Sequence, residues 1–166
     1  MKQLSFFSTD QHKPEIQTWT LYIDGASRGN PGPAGAGFML KTNDTTIKEY
    51  YYLGQKTNNQ AEYYALLLGL FTFVHYKKDH DSIEIYSDSL LLVKQVQGIY
   101  RVKHEGLKQL YACAMHYLSK IGSYKISHIK REKNTIADKL ANQGIDHKKA
   151  LPEAFVSYFS SFCSLP

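Results

Sequence analysis

The chain has 166 residues and a mass of 19.0 kDa, and its 43% of apolar residues suits one folded domain and excludes a wholly disordered chain. The N-terminus lacks the apolar core of a secretory signal, and no apolar run approaches the roughly 20 residues of a membrane span, so we expect a cytoplasmic protein without a membrane partner. The formal charge is +5, and residues 91–166 alone hold 12 basic and 5 acidic side chains, which fits either a polyanionic partner such as nucleic acid or an ordinary solvated surface.

The first predicted elements are three strands that follow a flexible polar arm at residues 1–18. Alternating apolar and polar residues predict the first at 19–24. Two more are predicted near 35–42 and near 46–54, the last of them rich in β-forming residues. The first strand stops at the glycine- and proline-rich stretch Gly25–Gly37, which allows turns and close backbone approach. The pair Asn43-Asp44 is typical of a hairpin turn. Short links between consecutive strands predict an antiparallel meander.

Helices alternate with strands in the rest of the chain. A long helix is predicted from about 59 to 77, after the capping residues Thr57-Asn58-Asn59, and its nearly all-round apolar surface is typical of a buried helix. The later elements are a strand at Ser82–Tyr86, helices at Asp88–Gln97 and about 104–121, a strand at Tyr124–Ile129 and a helix at Thr135–His147. This order, βββαβααβα, predicts a mixed sheet flanked by helices, with a crevice at the carboxyl ends of its strands.

Four acidic residues lie at the ends of predicted strands or near the starts of predicted helices, beside apolar residues, where a charged side chain calls for an explanation. They are Asp24, Glu62, Asp88 and Asp138. Each alone could serve the structure, because Asp24 could cap the glycine-rich loop and the others could favour helix N-termini. Strand ends and helix starts meet at one edge of such a sheet, however, so the four could converge. Converging carboxylates repel one another unless they are protonated or neutralised, and oxygen-only ligands suit Mg²⁺ or Mn²⁺.

Four motifs contain these acids, in the order Tyr22-Ile-Asp-Gly-Ala-Ser-Arg-Gly-Asn-Pro-Gly, Thr57-Asn-Asn-Gln-Ala-Glu-Tyr, Tyr86-Ser-Asp-Ser and His128-Ile-Lys-Arg-Glu-Lys-Asn-Thr-Ile-Ala-Asp. Together they resemble the type 1 ribonuclease H family, in a short form that lacks its basic protrusion. The resemblance covers about residues 19–147 and implies an α/β fold with a five-stranded mixed sheet. It also implies an endoribonuclease that hydrolyses the RNA strand of RNA–DNA hybrids, leaving 5′-phosphate and 3′-hydroxyl ends.

The resemblance further implies that the four acids are catalytic and bind two Mg²⁺ ions, for which Mn²⁺ could substitute. In that family the residue matching Asp24 bridges both ions. Asp138 would complete the site of the ion that activates water, while Glu62 and Asp88 would help hold the ion on the leaving-group side. Two ions about 3.5–4 Å apart can stabilise both the attacking and the departing oxygen.

Substrate contacts are implied in the same way. Backbone at the first motif would approach the RNA 2′-hydroxyls, at Gly25, Ala26 and Ser27. Asn30 and either Asn58 or Asn59 would reach the minor groove, and Thr57 would hold a phosphate of the DNA strand. The asparagines could equally serve turns and caps.

The chain departs from the bacterial pattern of the family at two places. Without the protrusion, phosphate contacts would come from the catalytic domain, with Lys94, Arg101 and Lys103 as candidates unless they are plain surface charge. The bacterial pattern has a mobile histidine before the last aspartate, whereas this chain has a short loop in which Arg131 is the expected replacement. His128 lies within strand periodicity, where a structural role is at least as well supported.

Residues 148–166 form a C-terminal extension beyond the resemblance. Leu151, Phe155, Tyr158 or Phe159, and Phe162 recur at helical spacing, which predicts a segment packed on the domain or, alternatively, a docking element for a partner protein. Two cysteines, Cys113 and Cys163, are too few for a zinc cluster; they could form one disulfide, although we expect reduced thiols.

Two other functions compete with the nuclease. Another nuclease or integrase of the same broad fold is disfavoured by the complete second and fourth motifs. A non-enzymatic module that binds hybrids or duplex RNA is disfavoured because no acid is lost. We expect a monomer whose partner is an RNA–DNA hybrid, with duplex RNA as a further possible substrate.

Overall fold

The computed structural model describes residues 15–162, so residues 1–14 of the predicted arm and Cys163 lie outside the described part of the chain. Within it, the strands are Thr18–Ser27 (β1), Gly32–Lys41 (β2), Thr46–Lys56 (β3), Ser82–Ser87 (β4) and Tyr124–His128 (β5). The helices are Asn58–Tyr76 (α1), Leu90–Val96 (α2), Glu105–Ile121 (α3), Thr135–His147 (α4) and Glu153–Phe162 (α5). A short 3₁₀ turn at Arg131–Lys133 precedes α4.

The five strands form one mixed sheet in the order β3-β2-β1-β4-β5. β1 pairs with β2, and β2 with β3, in antiparallel fashion, whereas β4 runs parallel to both β1 and β5. Helix α1 packs on one face of the sheet, where Gly69 contacts Leu21, and α4 packs on the opposite face, where Ala141 contacts Gly37. The predicted fold class and the antiparallel meander are therefore confirmed.

The glycine-rich stretch is mostly strand rather than loop, which corrects its predicted extent. β1 continues to Ser27 and β2 already begins at Gly32, because cross-strand pairing extends to Ser27 opposite Ala34. A Cβ atom at Gly37 would lie 2.3 Å from the backbone nitrogen of Ala141 on α4. Glycine in β2 therefore allows α4 to pack directly on the sheet.

Helix α2 begins two residues later than predicted. Ser89 is its N-cap, since the Ser89 side chain accepts a hydrogen bond from the Leu92 N–H at 3.3 Å. Asp88 consequently lies in the link between β4 and α2, and it does not serve as an acid in the first turn of that helix. The hairpin turn at Asn43-Asp44 is closed by the Thr42 N–H, which donates to the Thr45 carbonyl at 2.8 Å.

Helix α5 packs against α1 and α3 through aromatic side chains. Phe155 and Phe159 are 0% and 1% exposed and belong to the same core as the sheet residues. The Phe155 ring meets Phe71 of α1 at 5.6 Å, and the Phe159 ring stacks on Tyr117 of α3 at 5.7 Å between centroids. The packed segment expected after Ala150 is thus observed, with the side chain of Phe162 outside the described part.

Two remaining expectations concern the cysteines and membranes. Cys113 is buried on α3 and no cysteine between residues 15 and 162 is a free thiol, so the expectation of reduced thiols is not supported at Cys113.

Among the described helices, none is long and apolar enough to cross a membrane.

Candidate active site

The ends of two neighbouring strands bring two of the predicted acids together. Asp24 lies near the end of β1, and Asp88 directly follows β4, which runs parallel to β1 with Ile23 opposite Ser87. Glu62 reaches the same place from α1. One carboxylate oxygen from each of Asp24, Glu62 and Asp88 lies within 4.8 Å of the other two.

A glycine permits this approach between strand and helix. A Cβ atom at Gly25 would lie 2.2 Å from the Ala61 carbonyl carbon and 2.3 Å from the Glu62 nitrogen, distances that no side chain tolerates. Glycine next to Asp24 therefore lets the backbone of α1 touch β1, which places Glu62 beside Asp24.

The fourth predicted acid, Asp138, lines the same cleft and lies close enough to Asp24 for its charge and a side-chain hydrogen bond to raise the pKa of Asp24, after the larger effects of burial and Asp88. The cleft has a volume of about 350 Å³, and Gly25, Ala26 and Ser27 also line it. Asp138 lies in the first turn of α4, where its Oδ1 accepts a hydrogen bond from Nη2 of Arg131 at 3.2 Å. The structure thus brings all four acids and Arg131 to one cleft.

Two of the clustered acids, Asp24 and Glu62, hold their protons more tightly than ordinary carboxyl groups do. Burial, followed by the charge of Asp88, raises the pKa of Asp24 from 3.8 to about 8. Burial, followed by the charges of Asp24 and Asp88, also raises the pKa of Glu62 well above its usual range. Oε2 of Glu62 is buried and has no hydrogen-bond partner among residues 15–162. An unpaired oxygen within an all-carboxylate cluster fits a hard divalent cation, which would supply the missing positive charge.

One residue at this site, Asn134, was not assigned from the sequence. Its Nδ2 donates to the Ile23 carbonyl at 2.8 Å and to Oδ1 of Asp88 at 3.1 Å, and the residue is only 1% exposed. Asn134 therefore ties the start of α4 to β1 and orients the Asp88 carboxylate. An asparagine before a helix ordinarily indicates a cap, but this side chain makes no capping hydrogen bond. The pattern alone could not separate the two roles.

The predicted minor-groove residues are linked by hydrogen bonds. Oδ1 of Asn58 accepts from the Ser27 N–H at 3.0 Å, and Oδ1 of Asn30 accepts from the Asn58 N–H at 3.0 Å. Thr57 caps α1, where its side chain accepts from the Gln60 N–H at 3.2 Å. These residues therefore have structural roles, which do not prevent them from contacting a ligand.

A second cavity, of about 360 Å³, gathers most of the other predicted substrate contacts. Its walls include Asn30, Thr57, Asn59, Arg101 and Lys103. Lys94 lines neither this cavity nor the carboxylate cleft. His128 also lies outside both, and its Nε2 is 3.2 Å from the backbone oxygen of Asp88.

Without a bound metal, we expect the free energy of unfolding to fall as the pH rises from about 4 to about 8. A carboxyl group whose pKa is raised on folding keeps a proton that the unfolded state releases. Its contribution is therefore complete below the unfolded pKa, 3.8 for Asp24, and is lost as the pH rises through about 8. The loss should reach at least about 1.4 kcal/mol, the equivalent of one pKa unit.

Chemical denaturation in a chelator, at pH values between about 4 and 8, measures this loss. Asp24→Asn should flatten the dependence, and millimolar Mg²⁺ should restore stability at high pH because a ligand of the folded state stabilises it. A stability that rises steadily with pH in the wild-type protein would contradict the expectation.

Comparisons with known proteins identify the family. The profile described as "Reverse transcriptase-like" matches residues 22–144. The chain is 39% identical over 127 residues to Ribonuclease HI of Halobacterium salinarum, with 75% of this chain and 63% of that protein covered, so it spans less than two thirds of that relative. It is 36% identical over 143 residues to Ribonuclease H of Rickettsia massiliae, with 75% of this chain and 88% of that protein covered.

Among solved structures, LC11-RNase H1 in complex with an RNA/DNA hybrid matches with a TM-score of 0.74 and 38% identity over 78% of this chain and 97% of that chain. The sheet order, the carboxylate cleft and these similarities agree with one another. The chain belongs to the type 1 ribonuclease H family.

Proposed function

We propose that this protein is an endoribonuclease that hydrolyses the RNA strand of RNA–DNA hybrids. The observation that carries the proposal is the cluster of Asp24, Glu62 and Asp88, whose carboxylates each bring one oxygen within 4.8 Å of the other two near the end of β1, together with the buried, unpaired Oε2 of Glu62. The similarity to a relative whose structure contains an RNA/DNA hybrid supports the choice of substrate.

Divalent cations fit this cluster, and Mg²⁺ is the proposed ion, with Mn²⁺ as a substitute. Asp24, Glu62 and Asp88 would hold one ion, and Asp24 with Asp138 would hold a second. When bound, the ions would lower the pKa of a water and neutralise charge on the scissile phosphate. Attack of that water's oxygen on phosphorus, with cleavage of the bond to the 3′-oxygen, would leave a 5′-phosphate and a 3′-hydroxyl end. The protein itself fixes the carboxylates: Asn134 orients Asp88, and glycine at position 25 brings Glu62 to Asp24.

Recognition of RNA would come from the backbone that lines the cleft at Gly25, Ala26 and Ser27. The N–H of Ser27 is already bonded to Asn58, so the approach of a 2′-hydroxyl would depend on Gly25 and Ala26. Because Oδ1 of Asn58 accepts that bond, its Nδ2 is the group that would donate to the minor groove.

The DNA strand would occupy the second cavity. Thr57 and the N-terminus of α1 face Arg101 and Lys103 there, which suits a phosphate. We expect Arg101→Ala and Lys103→Ala each to weaken hybrid binding and to reduce the slope of log affinity against log salt by about one.

The control for these two substitutions is Lys77→Ala, because Lys77 follows the opposite end of the 19-residue helix α1. Titrations of a labelled hybrid at several salt concentrations, without divalent metal, measure affinity and slope. Equal slopes for all three variants and the wild type would remove Arg101 and Lys103 from the substrate site.

Arg131→Ala should lower turnover more than affinity. Arg131 lies in the carboxylate cleft, pairs with Asp138 and is otherwise 79% exposed, so its guanidinium can turn to a phosphate. Loss of one fixed donor to developing charge typically costs about a hundredfold or more in turnover, and we expect at least about tenfold here. Single-turnover rates and hybrid affinities separate the two effects.

Lys130→Ala is the matched control for Arg131→Ala, because Lys130 precedes Arg131 in the same loop but does not line the cleft. If Arg131→Ala changes the turnover by less than about twofold, as Lys130→Ala should, the loop only connects β5 to α4.

A cleavage assay tests the proposed function directly. An RNA–DNA hybrid, a duplex RNA and a duplex DNA of the same sequence are incubated with Mg²⁺, with Mn²⁺ or with a chelator, and the RNA ends are analysed. Internal metal-dependent cuts in the hybrid, with 5′-phosphate ends, are expected. Metal-independent cleavage, or binding of the hybrid without any cleavage, would overturn the proposal.

The proposed catalytic domain spans residues 19–147, preceded by the arm at 1–18 and followed by the extension at 148–166. Cleavage of duplex RNA, the monomeric state and the cytoplasmic location remain predictions. The duplex RNA arm of the cleavage assay addresses the first of these.

A further inference from the structure

We propose that a third cavity, beside the carboxylates, binds one unpaired nucleotide of the RNA strand that flanks the scissile bond. This cavity, here the tyrosine cavity, has a volume of about 220 Å³ and lies between the sheet and the start of α4. Tyr22, Met39, Lys41, Lys133, Asn134 and Ile136 line it. The inference rests on the proposed function, because it concerns the strand that the carboxylate cleft would cut.

The position of the tyrosine cavity follows from the register of β1 and β4. Tyr22 is two residues before Asp24 in β1, so the two share a sheet face, and Tyr86 lies opposite Tyr22 on β4, two residues before Asp88. Two strand residues span about 6.6 Å, which is close to one nucleotide step of an extended strand. Asn134 forms the wall between the two sites, since it lines the tyrosine cavity and donates to Asp88.

Tyr22, which lines the cavity, stacks on Tyr86, which lies behind it on β4 and does not line the cavity. Tyr22 and Tyr86 lie opposite each other on the parallel strands, with ring centroids 5.3 Å apart and planes 27° from parallel. The Lys41 Nζ lies 5.6 Å from the centre of the Tyr22 ring. Aromatic rings with neighbouring cations are the elements by which proteins hold single-stranded nucleic acid, because every base has a face that can stack.

The basic residues of the cavity suit a phosphate. Lys41 and Lys133 both line it, and neither forms an ion pair within residues 15–162. The 13-residue helix α4 starts there, and the Asn134 side chain does not cap it. The first N–H groups of α4 therefore add partial positive charge to that of the two lysines.

Asn134 supplies an independent sign of an unfilled contact. Its Nδ2 is used by Ile23 and Asp88, whereas its Oδ1 is buried and has no partner in the described part of the chain. A buried acceptor without a partner is uncommon, and Asn134 is a wall residue of the tyrosine cavity, so a ligand there is a candidate donor to it. Glu84 is the acidic group that opposes anion binding, and its carboxylate already accepts a hydrogen bond from the Tyr86 hydroxyl at 2.9 Å.

Binding of three hybrids, measured without divalent metal, tests the inference. One hybrid is blunt, and the others carry a few unpaired RNA nucleotides at the 3′ end or at the 5′ end. We expect one extended hybrid to bind about tenfold tighter than the blunt one, a factor within the range of base–aromatic stacking. An extension made of abasic nucleotides, which keep the phosphates but cannot stack, should retain only part of that gain in affinity.

The double variant Lys41→Ala, Lys133→Ala should lose the gain from the extension while binding the blunt hybrid as the wild type does. Lys139→Ala, an exposed substitution on α4 that lines neither the tyrosine cavity nor the carboxylate cleft, should keep it. No gain with either extension, or a gain that persists in the double variant, overturns the inference while leaving cleavage of blunt hybrid intact. Failure of the wild type to bind or cut any hybrid would instead overturn the proposed function as well.

Discussion

Asp24→Asn should reduce cleavage of RNA–DNA hybrids by a factor of about a thousand or more while leaving hybrid affinity nearly unchanged. Asp24 interacts with all three other acids: burial raises its pKa most, the charges of Asp88 and Asp138 raise its pKa further, and the Glu62 side chain hydrogen bonds to it. Asparagine keeps the shape but removes the negative charge that would be shared between two cations. A loss of about 4 kcal/mol of transition-state stabilisation corresponds to that factor.

Single-turnover cleavage in Mg²⁺ and hybrid titration in a chelator measure the two quantities separately. Asp44→Asn, in the exposed hairpin turn, removes one negative charge far from the cleft and should leave both unchanged. Activity of Asp24→Asn within a few-fold of wild type would contradict the assignment of the cluster as the metal site. Strong loss of binding would show that Asp24 acts on the substrate rather than through a metal.

The acids could be located from the sequence because the pattern around each one defines an element end. Asp24 follows alternating residues of a strand, and Asp138 opens a helix with apolar periodicity. Parallel strand order then places such ends at one edge of the sheet. The pairing of Asp138 with Arg131 could not be predicted, because it depends on the side-chain conformations of both residues rather than on the backbone.

The partner in each close contact between elements was hidden from the pattern. The glycine-rich stretch predicted close backbone approach, but not that Gly25 would lie against α1 and that Gly35 and Gly37 would lie against α4. Each contact involves a partner far away in the chain, which local composition does not reveal. Asn134 was missed for the same reason, because its partners Ile23 and Asp88 are distant in sequence.

The extension after Ala150 shows the opposite case, in which periodicity was sufficient to predict packing. Phe155 and Phe159 are spaced by four residues and both are buried, since residues four apart lie on one helix face. Their burial against α1 and α3 shows that α5 completes the core of the described chain. A free docking element would instead leave these rings exposed.

Phe155→Ala should therefore lower the free energy of unfolding by about 3–5 kcal/mol, the usual cost of removing a fully buried phenylalanine ring. The ring is 0% exposed and touches Phe71 and Phe159, with centroids 5.6 Å and 4.4 Å away, so its removal leaves a cavity that the rigid core cannot close. Chemical denaturation of the full chain measures the change.

Val156→Ala is the matched control for Phe155→Ala, because Val156 is the next residue of α5 and is 43% exposed. It should cost less than about 1 kcal/mol, since little apolar surface leaves the core. Hybrid cleavage by the folded fraction of Phe155→Ala should remain close to wild type, because Phe155 does not line the carboxylate cleft. If the two substitutions cost the same, α5 is not docked in solution, and its aromatic face would be available to a partner protein.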